Sequence, residues 1–320
     1  MLEKMEKVIF GKTGLEVSPI TLGTWGIGGA GWDEYPDDVR LDAIKAAVEA
    51  GINLIDTAPA YNGGKSEQYI GKALEETGTR DDVIIVTKTG NDYIDGQYVR
   101  NGKADNIFAL CERSLKNLRT DRIDILLLHW PDPGVPLEET FGAMNRLKEQ
   151  GMVGHIGASN LTKEQLTEAE QYTEIEVFQP HFSMLARENE ETIRWAHEKG
   201  IGVMAYGSLS GGLLTGRYRT VENYEAMDNR NRFYGRFFQE PVFSRVMQLL
   251  EVMQTIADRH HAAIAEAALN WSRQKPFIDT CIVGAQKRSR VESNVKCLNW
   301  KLTEEEMNIL DAAIRDKIGG

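Results

Sequence analysis

The sequence lacks the long hydrophobic run that a membrane-spanning helix requires. Its apolar stretch around Ile123–Leu128 is far shorter than the roughly 20 residues that cross a bilayer. The first ten residues, MLEKMEKVIF, include acidic side chains and no apolar core, so they do not predict a signal peptide. The three cysteines lie far apart without C-x-x-C spacing, which predicts free thiols in a reducing compartment. We therefore expect a cytoplasmic protein that does not interact with membranes.

Clusters of positive charge are scarce as well. Lysine and arginine total 37 against 48 aspartates and glutamates, which gives a formal net charge of −11. A nucleic-acid backbone requires clustered cations, so no nucleic-acid partner is expected. His260 and His261 lack the H-E-x-x-H spacing of a zinc site, and no metal is predicted. Hydrophobic residues make up 42% of the chain, as is typical of globular proteins, and nothing in the sequence indicates an oligomeric state.

Short apolar runs alternate with amphipathic segments along almost the whole chain. Eight of these runs predict strands: Ile20–Thr24, Asn53–Asp56, Val83–Lys88, Ile123–His129, Val153–Ser159, Val177–Gln179, Gly202–Tyr206 and Ile278–Val283. Eight strands separated by helices in βα order are typical of a (β/α)8 TIM barrel. We therefore predict a single α/β barrel domain over residues 1–320. It would have an N-terminal β-hairpin within residues 1–18, and extra helices or a long loop over residues 207–240 after strand 7.

Residues 26–31, GIGGAG, formally match the G-x-G-x-x-G motif of a Rossmann dinucleotide site. That motif requires a helix N-terminus directly after the glycines, so that backbone amides meet the pyrophosphate. Here WDEYPDDVR follows, in which Pro36 and several carboxylates come between the glycines and a helix. Carboxylates would repel a pyrophosphate. We expect a flexible βα loop at the top of the first barrel strand instead.

Three charged or titratable residues stand at the ends of three successive predicted strands, namely Asp56, Lys88 and His129. Each alone has a structural explanation: Asp56 could cap a turn, Lys88 could lie on the surface, and His129 could be a core histidine. Together with Tyr61, just past the second strand, they suit proton delivery to a carbonyl group. A lysine ammonium favours phenolate and so lowers the pKa of a tyrosine, and an aspartate holds that lysine in place. Histidine can hydrogen-bond the carbonyl oxygen.

The remaining strand ends indicate a nicotinamide site. Ser159, Asn160 and Gln179 offer the hydrogen-bonding groups that a carboxamide requires, and Tyr206 offers a flat face on which a pyridine ring can stack. Trp25 and Trp130 fall on or beside loops at the strand ends, where they can form an aromatic substrate pocket together with Tyr61 and His129.

Eight motifs in order resemble the aldo-keto reductase family over essentially the whole chain. They are GTWGIGG (23–29), NLIDTAPAY (53–61), VTKTG (86–90), DILLLHWPDP (124–133), HIGASN (155–160), FQPHFS (178–183), YGSLSGGLLTGRY (206–218) and VGAQKRSRVESN (283–294). The resemblance implies a barrel closed below by the hairpin, NADPH bound without a Rossmann fold, and 4-pro-R hydride transfer to an aldehyde or ketone. It implies the catalytic tetrad Asp56, Tyr61, Lys88 and His129, with Tyr61 as general acid. It further implies that the cofactor is bound by Thr24, Trp25, Asp56, Ser159, Asn160, Gln179, Tyr206, Gly207, Ser208, Leu209, Gly211, Arg217, Gly284, Gln286, Arg290 and Asn294.

Two choices depend on particular residues. The run Lys287, Arg288 and Arg290 concentrates cations as a 2′-phosphate would require, so NADP is favoured over NAD, although Ser293 replaces an acidic residue common in the family. Potassium-channel auxiliary subunits share the barrel and cofactor site but typically carry Asn where His129 stands here. A cofactor-sensing auxiliary subunit is therefore the alternative to an NADPH-dependent carbonyl reductase.

The substrate and the direction of reaction stay open. The variable segments 26–36, 90–103 and 207–240 would form the pocket walls. Four arginines of the last segment could attract an acidic or phosphorylated substrate or could only bind the cofactor phosphates: Arg219, Arg230, Arg232 and Arg236.

Overall fold

The computed structural model describes residues 5–221 and 228–319. Its strands in this part of the chain are β1 (Val8–Ile9), β2 (Glu16–Val17), β3 (Ile20–Gly23), β4 (Leu54–Asp56), β5 (Ile84–Thr89), β6 (Asn91–Ile94), β7 (Gln97–Arg100), β8 (Ile123–Leu128), β9 (Val153–Ser159), β10 (Val177–Gln179), β11 (Gly202–Ala205) and β12 (Thr280–Gly284). Eight of them form a closed parallel barrel in the order β10-β11-β12-β3-β4-β5-β8-β9. The predicted (β/α)8 barrel is thus confirmed, each of its eight strands to within about two residues.

Helices surround the barrel. They are α1 (Trp25–Gly28), α2 (Asp37–Glu49), α3 (Lys65–Thr77), α4 (Ala104–Leu118), α5 (Leu137–Glu149), α6 (Lys163–Ala169), α7 (Glu190–Glu198), α8 (Asn229–Tyr234), α9 (Val242–Arg259), α10 (Ile264–Arg273), α11 (Arg288–Val295) and α12 (Glu304–Lys317). Thr162 and Thr303 form reciprocal capping boxes with Gln165 and Glu306, which satisfy the first amides of α6 and α12.

The segments outside the regular repeat differ in how far they could be predicted. The N-terminal hairpin pairs Val8 with Val17, as expected. Segment 207–240 contains α8 and two 3-10 turns at Ser210–Thr215 and Gly235–Phe238, while residues 222–227 of it lie outside the described chain. The glycine-rich stretch after β3 contains the short helix α1, where only a loop was expected. The hairpin β6–β7 was not predicted.

Alternation along the strands determines what faces the barrel interior. Successive strand residues point to opposite faces, so residues two apart face the same way. Apolar residues from six strands fill the lower interior, among them Leu54, Val86, Leu127, Val177, Met204 and Ile282. Phe10 of the hairpin is completely buried against this cluster and closes the bottom of the barrel. The opposite, carboxyl-terminal end of the barrel is the end at which a site can form.

No helix of residues 5–221 and 228–319 has both the length and the apolar character required to cross a bilayer.

Two helical glycines provide a matched test of the helix packing. A Cβ at Gly71 in α3 would lie 2.5 Å from the carbonyl oxygen of Asn117, whereas a Cβ at Gly142 in α5 meets nothing within 4 Å. We expect Gly71→Ala to lower the free energy of unfolding by about 1–3 kcal/mol through overpacking. Gly142→Ala should raise it by about 0.5–1 kcal/mol, because alanine is the better helix former. Urea denaturation followed by circular dichroism would measure both, and stabilisation by both substitutions would contradict the close packing of α3 on α4.

Candidate active site

A cavity of about 580 Å³ opens at the carboxyl-terminal end of the barrel. The residues at the floor of the cavity are set by the same alternation of strand residues that fills the barrel interior below it. Counting two residues onward from each of the six apolar interior residues gives the next inward-facing positions: Asp56, Lys88, His129, Gln179, Tyr206 and Gly284. The residues that the sequence analysis assigned to catalysis or cofactor binding at these positions are therefore the uppermost inward-facing residues of their strands. All of the predicted site residues line the cavity except Thr24, Lys88 and Asn294.

Lys88 lies just beneath the cavity and connects two of these groups. Its Nζ donates to Asp56 Oδ1 at 2.6 Å, to the carbonyl oxygen of Thr57 at 2.8 Å and to the Tyr61 hydroxyl at 3.2 Å. Lys88 is only 1% exposed, so its charge depends on these three acceptors. Tyr61 reaches this position from the turn between β4 and α3, and its side chain is buried. The structure thus places both Asp56 and Tyr61 in direct contact with Lys88.

The pKa values in this cluster reflect burial above all. Burial raises the pKa of Tyr61 well above its ordinary value, and the Asp56 carboxylate adds to the rise. The expectation that Lys88 would bring a net lowering of the Tyr61 pKa is therefore not met. Burial also lowers the pKa of Lys88, although Asp56 acts in the opposite direction. Tyr61 is consequently protonated at neutral pH and able to donate a proton.

His129 completes the group from the end of β8. Its ring packs edge-on against Tyr61 with 5.9 Å between the ring centroids. Burial lowers the pKa of His129 well below its ordinary value, and the cations Lys88 and Arg100 lower it further. The imidazole is therefore neutral at neutral pH. Its buried Nδ1 has no hydrogen-bond partner among the described residues. A neutral imidazole still carries one N–H, which can donate to a carbonyl oxygen.

A chain of hydrogen bonds crosses the barrel from β4 to β10 and continues along the ends of β9 and β11. Gln179 Nε2 donates to Asp56 Oδ1 at 2.7 Å, and Ser159 Oγ donates to the Gln179 carbonyl oxygen at 2.8 Å. Asn160 Nδ2 donates to Ser159 Oγ, and the Tyr206 hydroxyl donates to Asn160 Oδ1 at 2.8 Å. Among the described residues, Gln179 keeps one amide donor and its side-chain oxygen for a ligand. Asn160 gives both of its amide donors to Ser159 Oγ and the His129 carbonyl oxygen, but its Oδ1 keeps one lone pair. These groups can therefore bind a carboxamide without losing the contacts that orient them.

His181 was given no role from the sequence, yet it lies at this end of the cavity. Its ring stacks on Tyr206 at 5.0 Å, and a Cβ added at Gly207 would come within 2.5 Å of it. Gly207 has φ +75°, a conformation that suits glycine, so both the close approach and the backbone require this residue. Burial lowers the pKa of His181 to about 4, which keeps the ring neutral behind Tyr206.

The far end of the cavity can accept a dinucleotide. Ser208, Leu209, Gly211 and Arg217 line it on one side, and Gly284, Gln286, Lys287 and Arg290 line it on the other. A Cβ at Gly284 would meet nothing within 4 Å, so there is open space at the end of β12. Cations, backbone turns and free volume on both sides form a donor set that suits a pyrophosphate and a nucleoside. The residues present therefore fit a nicotinamide dinucleotide.

Three residues singled out for the cofactor site have other contacts. Arg288 does not line the cavity: it donates to Asp42 and to Glu49 of α2, so the predicted run of three cations contributes two to the site. Thr24 Oγ1 donates to the Asp56 carbonyl oxygen, and Asn294 Nδ2 donates to the Gly284 carbonyl oxygen at 3.4 Å. Both lie behind the cavity wall and support residues that face it.

The opposite wall is aromatic. Trp25 stacks over Tyr61 at 6.0 Å and packs edge-on against Trp32 at 5.2 Å. Trp130 also lines this wall, as predicted. Four further wall residues lie in the segments 90–103 and 207–240 that were expected to form the pocket walls, but the sequence analysis named none of them individually: Asn91, Tyr98, Arg100 and Phe233. The signal for the first three of these residues was the alternation of side chains between the two faces of β6 and β7. This alternation is hard to recognise in a segment flanked by glycines.

Comparison with known proteins agrees with this geometry. The model of the Aldo/keto reductase family matches residues 19–315. The chain is 37% identical to the aldo-keto reductase YhdN of Bacillus subtilis (strain 168), over 98% of this chain and 96% of the relative. It is 33% identical to the NADH-specific methylglyoxal reductase of Escherichia coli (strain K12), over 96% and 97% of the two chains. The solved structure of the glycerol dehydrogenase AKR11B4 from Gluconobacter oxydans is 29% identical and superposes with a TM-score of 0.89, covering 99% of this chain and 97% of that one. A barrel with this arrangement of site residues and with relatives that span its length belongs to the aldo/keto reductase family.

Proposed function

We propose that this protein is an NADPH-dependent oxidoreductase that reduces an aldehyde or ketone and can run in reverse on an alcohol or sugar. The observation that carries the proposal is the contact of Lys88 Nζ with both Asp56 and the Tyr61 hydroxyl at the floor of the cavity. A protonated phenol beside a fixed cation is a proton donor whose conjugate base has a stabilising partner in place.

Each of the four residues has a distinct task in this proposal. When bound, NADPH supplies a hydride to the carbonyl carbon. Tyr61 donates its proton to the carbonyl oxygen, and the ammonium group of Lys88 stabilises the phenolate that forms. Asp56 holds that ammonium group in place. His129, neutral because it is buried, donates a hydrogen bond that orients the carbonyl oxygen.

The alternative of a non-catalytic, cofactor-sensing subunit has less support. The tetrad is complete, and His129 stands at the position that distinguishes the two classes in the resemblance. Turnover of a simple aldehyde such as 4-nitrobenzaldehyde with NADPH would support the enzyme. Tight binding of NADPH with no turnover of any carbonyl compound would support the auxiliary subunit instead.

We expect Tyr61→Phe to lower kcat for carbonyl reduction by about 10²- to 10⁴-fold, the usual range for loss of a general acid. NADPH binding should change little, because only the hydroxyl is removed. Steady-state kinetics measures the first effect, and quenching of intrinsic tryptophan fluorescence measures the second. A variant within a few-fold of the wild-type rate would rule out Tyr61 as the proton donor.

Lys88→Met tests the partner of that phenol. Loss of the cation removes a group that favours phenolate, so the pKa of Tyr61 should rise further. Alcohol oxidation requires the phenolate, and its rate should therefore begin to increase at a higher pH than in the wild type. Circular dichroism would verify folding, since Asp56 loses its buried partner. A folded variant with an unchanged pH–rate profile would show that Lys88 does not govern the ionisation of Tyr61.

Preference for NADPH is proposed to depend on Arg290, which lines the cavity at its far end. The 2′-phosphate distinguishes NADPH from NADH, and one charge-assisted hydrogen bond contributes about 1.5–3 kcal/mol. Arg290→Ala should therefore raise the dissociation constant of NADPH by roughly 10- to 100-fold and that of NADH by no more than a few-fold. Arg288→Ala is the matched control, because its guanidinium is occupied by Asp42 and Glu49. Equal losses for the two cofactors in Arg290→Ala would contradict the proposed preference.

A further inference from the structure

The cavity has a charge opposite to that of the chain. The formal net charge is −11, yet among the described residues six cationic and two acidic side chains line the cavity. Three of the cations, Arg217, Lys287 and Arg290, lie at the dinucleotide end. A fourth, Arg230, forms ion pairs with Asp33 at 3.0 Å and with Asp228 at 2.6 Å. The remaining two are Arg100 and Arg232. They lie on the aromatic side of the cavity and have no role in the proposed binding of the dinucleotide.

Each of these two arginines lies over an aromatic ring of the cavity wall. Tyr98 and Arg100 are two apart in β7, so both face the cavity. The guanidinium of Arg232 lies 4.8 Å from the centre of the Tyr98 ring, and that of Arg100 lies 4.9 Å from the centre of the Trp130 ring. Within residues 5–221 and 228–319, neither guanidinium lies within 4.0 Å of a carboxylate. Stacking on a ring leaves the in-plane N–H donors of a guanidinium available.

The surface that carries the two arginines is connected to the proposed reacting groups. Trp25 Nε1 donates to the Tyr98 hydroxyl at 3.3 Å, and the same indole stacks over Tyr61. Trp130 directly follows His129 in the chain, and the charge of Arg100 contributes to the low pKa of that histidine. A small molecule whose carbonyl oxygen lies at Tyr61 and His129 would thus extend toward these cations.

The β6–β7 hairpin, which carries Arg100, is fixed to α4 and places a polar residue in the cavity wall. Asp92 of β6 accepts two hydrogen bonds from Arg113 of α4, at 2.9 and 2.6 Å. Asn91 pairs with Arg100 in the register of β6 and β7, lines the cavity and is only 5% exposed. Its Oδ1 is buried with no hydrogen-bond partner among the described residues. A buried amide without a partner is costly unless a ligand satisfies it. It can accept a hydrogen bond from a hydroxyl group of the ligand.

We propose that the substrate is a carbonyl compound that also bears an anionic group, a carboxylate or a phosphate, bound by Arg100 and Arg232. This inference rests on the proposed reductase function and specifies its substrate class. In this reaction the carbonyl carbon gains a hydride from NADPH, and the carbonyl oxygen gains the proton of Tyr61. The product is an alcohol, and the anionic group takes no part in the bond changes.

The test compares neutral and anionic aldehydes of similar skeleton with NADPH in excess. Butanal against succinic semialdehyde probes a carboxylate, and glyceraldehyde against glyceraldehyde 3-phosphate probes a phosphate. We expect kcat/KM to be at least about tenfold higher for the anionic member of one pair, mainly through a lower KM. The pair with the larger ratio identifies the anion. Neutral substrates favoured in both pairs would overturn the proposal.

Variants assign the preference to the two residues. Arg100→Gln and Arg232→Gln should each lower the anionic-to-neutral ratio of kcat/KM by about 10- to 100-fold, because each removes a charge-assisted contact. Arg236→Gln is the matched control: this nearby arginine does not line the cavity and pairs with Glu188, so its ratio should stay at the wild-type value. Equal losses for neutral and anionic substrates in the first two variants would show that the arginines only support the aromatic wall.

A binding measurement separates this inference from the proposed function. Tryptophan fluorescence can report binding in the cavity, since Trp25 and Trp130 line it. 4-Hydroxybutyrate should bind at least about tenfold more tightly than 1,4-butanediol, and Arg232→Gln should abolish the difference. That result without turnover of any aldehyde would contradict the reductase and support the anion site. Turnover of neutral aldehydes with equal binding of the two probes would contradict the anion site and leave the reductase standing.

Discussion

The buried pair of Asp56 and Lys88 is the constraint on which the geometry of the site depends. A lysine that is 1% exposed at the top of an apolar barrel is strongly destabilising unless a charge of opposite sign and further acceptors meet it. Here Asp56 Oδ1 lies 2.6 Å away. The ladder register pairs Asp56 with Val86, two residues before Lys88, so the side chains of Asp56 and Lys88 face the same side of the sheet. Tyr61 is the third group within reach of the same ammonium, so stability of the fold and placement of the phenol rest on one interaction.

The same alternation of strand residues extends this arrangement across the barrel, from β4 to β10. Gln179 adds a second hydrogen bond to Asp56 Oδ1, and the chain of contacts continues through Ser159 and Asn160 to Tyr206. Polar groups from five of the eight barrel strands are therefore oriented by one another before any ligand binds. Groups fixed in advance need not reorganise when charge develops on a substrate oxygen, which is the main physical source of catalytic stabilisation. Rigid strands, rather than mobile loops, hold these groups in place.

The position of the site residues at strand ends explains which of them could be predicted from the sequence. Strand ends could be located because apolar alternation stops at a polar residue, so Asp56, Lys88 and His129 could be assigned to one end of a barrel. Contacts between distant segments leave no such pattern. Arg288 looks like a phosphate ligand in its own sequence context, but Asp42 and Glu49 on α2 bind it. Arg100 and Tyr98 belong to a hairpin whose pairing the sequence did not reveal. The net pKa of Tyr61 likewise depends on how deeply the phenol is buried, a property of the assembled fold.

The chain is acidic overall whereas the cavity is lined by cations, so the two ends of the site attract anions for the same physical reason. An acidic surface repels anions in general, whereas a cavity lined by cations attracts the few that reach it. A dinucleotide phosphate at Arg217 and Arg290 and a substrate anion near Arg232 would both respond to this field. Their neutralisation would also be coupled, since each anion lowers the positive potential that the other experiences. Binding of the cofactor should therefore reduce the affinity for an anionic substrate most strongly at low ionic strength, where screening between the two ends is weakest.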